Sequence, residues 1–340
     1  MKKVRMLIVA VMMCGLALFA NGSNEKGTAA PASGAKYPTK PITLICGWAP
    51  GGSSDLQCRK VAELSKKYLG VEMNVVNMTG GNGVVSLTNV AANTKADGYT
   101  IALATNSLFC LQPYTTQTGY QPEQFTVLTG TTAEPLALVV RKDSPLKNLK
   151  DVVDQFKKTG MPITHAQGGK NGAVHIMSLL VFDALGVDQQ IMSYGGASEA
   201  ITAMLGKEVD MAIVHPGQAL GQVQGGEARI IAVVYRDRLP DFPDAPTVKE
   251  QGYGDISSEV DKFFVIHSDT DPSIIAYLRD GLNKLMEDPE YIAFLKTIVA
   301  ERNIYRGDED SKALFKAQVN DFWPILTDLG LLRQGAVKPE

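Results

Sequence analysis

The chain has few of the residues that build metal centres and disulfide frameworks. Its 340 residues include four cysteines and four histidines, and no two cysteines have the Cys-x-x-Cys spacing of a zinc or redox site. We therefore expect no metal ion. Cys14 lies in an N-terminal apolar run, and the other cysteines leave two alternatives open: three buried apolar thiols, or one disulfide with a thiol left over. They are Cys46, Cys58 and Cys110.

Excess charge of either sign is also missing. The 33 Lys and Arg residues nearly balance the 36 Asp and Glu residues, so the chain lacks the basic surface with which proteins bind nucleic acid. Apolar residues make up 45% of the sequence, which is too many for a disordered protein. The length corresponds to roughly two domains of ordinary size.

The N-terminal segment has the pattern of an export signal. Three basic residues precede an apolar run over residues 6–20 that is short for a membrane span, and small and polar residues follow it. The pattern predicts a signal peptide over residues 1–20 and a flexible leader over residues 21–36. It also predicts a periplasmic or other extracytoplasmic location. A lipid anchor at Cys14 is not favoured, because Val11-Met12-Met13 before it is a poor lipobox.

Motifs typical of catalysis and of nucleotide binding are absent from the sequence or incomplete. The sequence contains neither HExxH nor GxSxG. Gly81 and Gly83 are not followed by the third glycine of a dinucleotide site, because Ser86 stands at that position. The glycines before Lys170 lack the spacing of a phosphate-binding P-loop. We therefore expect no cofactor and no enzymatic activity.

Short β-rich runs alternate with longer helical patterns, which predicts an α/β fold with right-handed crossovers. Two such units precede a helical tail, from Pro272 to about Leu332, that is too short for a domain of its own. Returning the tail to the first unit gives a discontinuous first lobe, residues 37–134 and 264–340, and a second lobe, residues 135–263. We expect each lobe to be a mostly parallel sheet flanked by helices, with a ligand cleft between the lobes.

Glycine-rich loops follow four predicted strands and open the next helices, at residues 49–55, 78–83, 167–172 and 194–198. Glycine lets backbone N–H groups approach a ligand, and helix N-termini carry partial positive charge. Several such loops at one cleft would bind an anion without Arg or Lys. The alternative for each loop is an ordinary tight turn.

Trp48, Ser107 and His215 are further candidate ligand-binding residues near the ends of predicted strands. His165 could also reach a ligand, and Asp55 is expected to have a structural role.

An ordered series of short motifs runs through nearly all of the chain after the leader. It includes Tyr37-Pro38-x-x-Pro41-Ile42-Thr43-Leu44, Pro50-Gly51-Gly52-x-x-Asp55, the loop at residues 77–83, Ala96-Asp97-Gly98-Tyr99-Thr100, Tyr194-Gly195-Gly196-Ala197 and Arg238-x-x-x-x-Pro243-Asp244-Ala245-Pro246-Thr247-Val248. Each motif alone is weak, but the series in this order resembles the tripartite tricarboxylate transporter solute-binding proteins, the Bug family. The chain departs from that family around Lys262-Phe263-Phe264, where a tryptophan is usual.

The resemblance implies a type II-like periplasmic-binding-protein fold whose two lobes close on a small carboxylate, most often a dicarboxylate or tricarboxylate. It also implies that the partners are the permease subunits of a tripartite transporter, and we expect a monomer. The ligand contacts that it implies are Gly51, Gly52, Ser53, Thr79, Gly80, Gly81, Asn82, Gly83, Gly168, Gly169, Lys170, Asn171, Gly195, Gly196 and Ala197. Two alternatives remain open. One is a ligand-sensing partner of a membrane receptor kinase, and the other is an enzyme with a nucleophile and a base at the cleft.

Overall fold

A computed structural model of the chain describes residues 37–169, 172–256, 259–303, 305 and 307–339. The predicted signal peptide and leader lie outside these ranges, as do Lys170 and Asn171. Within them, no helix combines the length and the apolar character that a membrane span requires. Cys46, Cys58 and Cys110 are buried free thiols.

The first of two sheets has six strands in the spatial order β11-β4-β10-β3-β1-β2. Their bounds are β1 Ile42–Cys46, β2 Met73–Asn77, β3 Thr100–Thr105, β4 Phe125–Glu134, β10 Val260–His267 and β11 Glu301–Arg302. β1 pairs in parallel with β2 and β3, so these three strands end at one edge of the sheet. β10 runs antiparallel to both β3 and β4.

The second sheet has five strands in the order β7-β6-β8-β5-β9. Their bounds are β5 Leu136–Arg141, β6 Ile163–Gly168, β7 Gln189–Tyr194, β8 Met211–Val214 and β9 Ala228–Val234. β6 pairs in parallel with β7 and β8, while β5 runs antiparallel to β8 and β9. The carboxyl ends of β6, β7 and β8 therefore also lie at one edge.

Both sheets are mixed, and the prediction of mostly parallel sheets was wrong in this respect. The strand and helix alternation led to that prediction, because parallel neighbours need a crossover helix. β4 and β5 are separated by Pro135 alone, so the chain passes between the sheets with no helix between the two strands. The described residues between β9 and β10, 235–256 and 259, also form no helix. Strands that enter a sheet in this way are free to pair antiparallel with their neighbours.

Eleven α-helices occur in the described part of the chain. Their bounds are α1 Ser53–Leu69, α2 Val84–Asn93, α3 Ser107–Cys110, α4 Gln112–Thr115, α5 Leu149–Thr159, α6 Ala173–Leu185, α7 Ala197–Leu205, α8 Leu220–Gln224, α9 Pro272–Met286, α10 Pro289–Thr297 and α11 Asp308–Asp328. The tail helices α9 and α10 pack with α1 on one face of the first sheet, and α11 packs with α2 and α3 on the other. α5 and α6 cover one face of the second sheet and α7 the other. The lobe boundaries at residues 134 and 263 stay a prediction.

Candidate functional site

A cavity of about 190 Å³ lies where the carboxyl ends of the parallel strands in both sheets face each other. Loops after β1, β2, β3, β6, β7 and β8 contribute to its wall, together with the first residues of β10. In open α/β sheets this edge is where ligands bind, because the loops and helix N-termini converge there. The cavity is therefore the candidate functional site.

Many of the predicted ligand residues share this wall. Those that line the cavity are Trp48, Gly52, Ser53, Asn82, Ser107, Gly168, Gly195, Gly196, Ala197 and His215. Those that the structure places outside the wall are Gly51, Thr79, Gly80, Gly81, Gly83 and Gly169. Lys170 and Asn171 lie outside the described residues. Direct contact with a ligand stays a prediction for every one of these residues.

The glycines of the loop after β2 shape a turn instead of lining the cavity. Gly80 and Gly83 have φ of 138° and 94°, a region that side chains other than glycine rarely adopt. A Cβ on Gly80 would also lie 2.6 Å from the Val85 side chain. These glycines are needed for the backbone path that carries Asn82 to the cavity, so Asn82 is the one residue of this loop in the wall.

Asp55 organises the loop after β1. It accepts hydrogen bonds from the Gly51 backbone N–H at 2.9 Å, from Arg59 Nε at 2.9 Å and from Asn77 Nδ2 at 2.8 Å. Burial by itself would raise the pKa of Asp55, but these bonds outweigh it and hold the pKa below its ordinary value. Because Asp55 takes the Gly51 N–H, that group is not offered to the cavity.

Three helices begin at the cavity with a glycine in the capping position. α1 follows Gly52, α6 follows Gly172 and α7 follows Gly196, and all three glycines line the wall. Glycine has no side chain with which to cap a helix. The first N–H groups of a helix have no acceptor within that helix and carry its positive partial charge. The site thus offers backbone donors from both sheets to a negatively charged group.

A buried ion pair lies beside the first of these helices. Lys262 Nζ on β10 lies 2.6 Å from Glu134 Oε1 and donates to Ser53 Oγ at 2.7 Å. Ser53 Oγ lies within 2.7 Å of both carboxylate oxygens of Glu134. The Lys262 and Glu134 side chains are only 2% and 1% exposed. Lys262 and Ser53 line the cavity, so one face of this cluster meets the ligand space.

Glu134 remains ionised in this cluster. Burial alone would raise its pKa, but the charge of Lys262, the nearby His215 and hydrogen bonds from Lys262 and Ser53 together lower the pKa to about 2. His215 Nδ1 lies 3.0 Å from the Pro135 carbonyl oxygen and 3.5 Å from Glu134 Oε2. A carbonyl oxygen only accepts, so the Nδ1–H of His215 donates to the Pro135 oxygen.

Burial also lowers the pKa of His215, against the opposing effect of Glu134. The site has no second imidazole from His165, which is fully buried and bonded through Nε2 to Gln189 Oε1 at 2.8 Å. Its ring stacks on Phe182 in the framework of the second sheet. Burial lowers the pKa of His165 to about 4.

The second sheet contributes an acidic group to the wall. Glu199 lies in the first turn of α7, and its Oε2 accepts the Gly195 N–H at 2.9 Å. Both residues line the cavity. One backbone donor of this loop is therefore occupied by the chain's own carboxyl group, and the wall has an acidic side chain at the α7 end and the Lys262 ammonium, paired with Glu134, at the β10 end.

Asn82 spans from the first sheet to the glycine loop after β6. Its backbone is left-handed, with φ 53° and ψ 42°, a conformation that asparagine tolerates. A Cβ on Gly169 would lie 2.1 Å from Asn82 Oδ1, and a Cβ on Gly172 would lie 2.9 Å from Asn82 Nδ2. Glycine at these two positions is what allows the Asn82 side chain to pack there.

Sequence reasoning missed Lys262 and Glu134, because it expected the ligand contacts, Lys170 among them, to come from the loops that follow the strands and not from the strands themselves. A signal was present in the sequence. Lys262 directly precedes the apolar run Phe263-Phe264-Val265-Ile266, and Glu134 ends a run of small and β-branched residues. A charged residue that adjoins a long apolar run of a strand indicates burial, and a buried charge requires a partner. Glu199 was missed because the sequence pattern shows it only as an ordinary first-turn acid.

Sequence comparisons identify the family that the chain matches and the proteins to which it is similar. Residues 57–331 match the family model described as the tripartite tricarboxylate transporter family receptor. The chain is 30% identical over 299 residues to the UPF0065 protein in the TAR-I ttuE-ttuC' intergenic region of Agrobacterium vitis, covering 86% of each. It is 30% identical over 306 residues to the UPF0065 protein in the gbd 5' region of Cupriavidus necator, covering 89% of this chain and 92% of that protein. BugT of Bordetella pertussis is 28% identical over 268 residues, covering 77% of this chain and 81% of that one.

Several solved structures of other proteins have the same fold as this chain. The periplasmic binding protein BugD superposes with a TM-score of 0.81 at 27% identity, covering 88% of this chain and all of that one. MatC from Rhodopseudomonas palustris with bound malate superposes with a TM-score of 0.77 at 21% identity, covering 85% of this chain and all of that one. An R. palustris protein with adipate has a TM-score of 0.81 at 21% identity, covering 87% of this chain and 99% of that one. The last two show the fold alone.

These findings confirm the two-lobed periplasmic-binding-protein fold that the sequence motifs predicted. They also confirm the resemblance itself, since the family model covers most of the chain and two relatives reach 30% identity along nearly their whole length. The family is one of binding proteins and not of enzymes. The chain belongs to the tripartite tricarboxylate transporter receptor family.

Proposed function

We propose that the protein captures a small organic anion with at least one carboxylate in the cavity between its two sheets. It then delivers the ligand to the membrane subunits of a tripartite transporter. The observation that carries this proposal is the convergence of α1, α6 and α7, each with a glycine cap, on one cavity. Relatives of the same fold were solved with malate and with adipate, which are acids of this class.

The ligand acts as the bridge between two lobes. The proposed first lobe, residues 37–134 and 264–340, supplies the α1 end, and the proposed second lobe, residues 135–263, supplies the α6 and α7 ends. An anion that accepts hydrogen bonds from both sides binds the closed arrangement more tightly than an open one. It therefore shifts the population toward closure. Closure also removes water from the cavity, so each hydrogen bond from a backbone N–H to the ligand is stronger than it would be in solution.

The place of action follows from the family and from the N-terminus. The similar protein BugD is a periplasmic binding protein, and residues 1–20 have the composition of a signal peptide. We propose that this segment directs export and that the exported chain carries its ligand to the permease as a monomer. Capture then needs no bond making or breaking, and binding and release are the whole cycle.

Thermal unfolding tests the capture of an acid. We expect malate or adipate, added at about 100 times its dissociation constant, to stabilise the fold by about 2.7 kcal/mol and to raise Tm by about 5 °C. Differential scanning calorimetry measures the shift, and the neutral diamide of adipic acid is the matched control without charge. The proposal fails if a panel of small carboxylates, including citrate, leaves Tm unchanged, or if the diamide raises Tm as much as adipate does.

The packing of Asn82 against the loop after β6 gives a second test. Gly172 has φ −94° and ψ −177°, which alanine adopts without strain, and the three nearest atoms that a Cβ there would meet among the described residues all belong to the Asn82 side chain. The protein can relieve this clash by moving the sheets apart, and we expect ligand affinity to fall about tenfold, a cost within the range for an overpacked contact. Isothermal titration calorimetry with the acid that raises Tm most is the measurement.

The control for this test is the double variant Gly172→Ala with Asn82→Gly. Glycine suits the left-handed backbone at position 82 and removes the atoms that the new methyl group would meet. We expect the double variant to bind more tightly than Gly172→Ala alone. Asn82→Gly alone is the reference, because Asn82 lines the cavity. If Gly172→Ala lowers affinity as much in the Asn82→Gly background as in the natural chain, the methyl group acts through some contact other than Asn82.

A further inference from the structure

The ammonium group of Lys262 has more donors than its protein partners use. An ammonium offers three N–H donors. In the described part of the chain, two of them are taken, by Glu134 Oε1 at 2.6 Å and by Ser53 Oγ at 2.7 Å. The side chain is 2% exposed, yet Lys262 is part of the cavity wall. The third donor is therefore directed to the space that the ligand would occupy.

Glu134 is in a different position from Lys262. Its carboxylate meets Lys262, Ser53 and, at 3.2 Å from Oε1, the Thr132 hydroxyl. It is not one of the residues that line the cavity. A carboxylate that is saturated in this way orients its partners. Glu134, outside the cavity wall, and Ser53, within it, thus both hold the Lys262 ammonium in place.

The position of Ser53 brings the Lys262 ammonium close to the backbone N–H groups at the start of α1. Ser53 is the first residue of α1, the helix of 17 residues whose cap is Gly52. The group that hydrogen-bonds to Lys262 thus belongs to the same turn that presents the N–H groups of this helix. Any anion drawn to the start of α1 comes within reach of the third donor of Lys262. Glu199, the acidic residue of the described wall, lies in the first turn of α7, and its Oε2 already accepts the Gly195 N–H.

We propose that Lys262 is a ligand-binding residue that donates its third N–H to the carboxylate held at the start of α1, and that Glu134 and Ser53 are positioning residues for it. The inference rests on the proposed function and assigns the ligand an orientation, with its carboxylate toward the first sheet. If this contact forms, the charge of Lys262 contributes to the selectivity of the site for acids over their neutral analogues.

The double variant Lys262→Met with Glu134→Gln tests this inference. It removes both charges together, so no unpaired charge is left buried. We expect it to fold, as judged by circular dichroism and Tm, and to bind malate or adipate about tenfold to a hundredfold more weakly than the natural chain in calorimetric titrations. If the folded double variant binds the acid as tightly as the natural chain, Lys262 does not contact the ligand, although the capture function stands.

A spectroscopic readout separates ligand contact from a structural role and needs no variant that must fold. The ammonium ¹⁵N and ¹H signals of Lys262 are expected to shift on addition of malate or adipate to the natural chain. The matched control is the ammonium of Lys150, which is 74% exposed on α5 and pairs with Asp154, and its signal should stay in place. An unmoved Lys262 signal at saturating acid overturns the inference. If the natural chain binds no acid at all, the proposed function fails instead.

Discussion

Replacing Lys262 by methionine alone is expected to lower the free energy of unfolding by about 3–5 kcal/mol. Methionine has a similar length and keeps the packing of the lysine stem. The loss arises because Glu134, which is 1% exposed, remains in the interior without the cation that balances it. Urea unfolding followed by circular dichroism measures the change, as a lower midpoint at constant slope.

Two comparisons identify the unpaired carboxylate as the cause. Adding Glu134→Gln to Lys262→Met is expected to restore most of the stability, since a neutral amide costs far less to bury than a lone charge. Lys284→Met removes a lysine whose ion pair with Asp280 is exposed, and it should change the free energy by less than about 0.5 kcal/mol. Equal losses from the buried and the exposed lysine would contradict this account.

The same pair predicts how stability depends on pH. The pKa of Glu134 is lowered from its ordinary value of 4.5 to about 2, because the charge and hydrogen bonds of its neighbours outweigh the effect of burial. A depressed folded pKa means that the carboxylate contributes stability that is fully present above pH 4.5 and is lost as the pH falls toward 2. Unfolding measured across this window should show a smaller decline for Glu134→Gln than for the natural chain.

The glycine loops show which part of the site a sequence can predict. A glycine pair between a strand pattern and a helix pattern is a local feature, and the carboxyl ends of parallel strands share one edge. The cavity wall therefore includes Gly52, Gly168 and Gly196, as expected for such loops. The loop after β2 shows the limit. The sequence alone cannot distinguish a glycine needed for a left-handed turn, such as Gly83, from one needed for a close approach to a ligand.

The pairing of Lys262 with Glu134 shows which part a sequence leaves undetermined. The two residues are 128 positions apart, and they meet because β10 lies beside β4 in the first sheet. That neighbourhood depends on the antiparallel half of the sheet, which the strand and helix alternation does not indicate. Local patterns predicted the two lobes and the edge where a ligand would bind. They could not show which charges the long-range pairing of strands would place there.

Gly217 marks a second long-range contact, and replacing it by alanine is expected to lower the free energy of unfolding by about 1–3 kcal/mol. It lies in the 3₁₀ turn Pro216–Ala219 that follows β8. A Cβ at this position would lie 1.9 Å from the carbonyl oxygen of Ile298 and 2.4 Å from its carbonyl carbon. Both are backbone atoms at the end of α10, so no side-chain rotation relieves the clash.

The clash also reaches the cavity, which makes Gly217→Ala informative about binding. His215, two residues before Gly217, and Gln218, directly after it, line the wall. The Gln218 side chain accepts the His215 N–H at 3.2 Å. A turn displaced from Ile298 therefore moves two wall residues together, and ligand affinity should fall along with stability. Urea unfolding and calorimetric titration of the same variant measure the two effects.

Gly221→Ala is the matched control, four residues further along the chain. A Cβ there meets nothing within 4 Å, and Gly221 lies inside α8, where alanine is favoured over glycine by about 0.5–1 kcal/mol. We expect this variant to be as stable as the natural chain or slightly more stable, with unchanged affinity. If both glycines gave the same small gain in stability, the approach of the turn to Ile298 would not be the constraint that keeps position 217 free of a side chain.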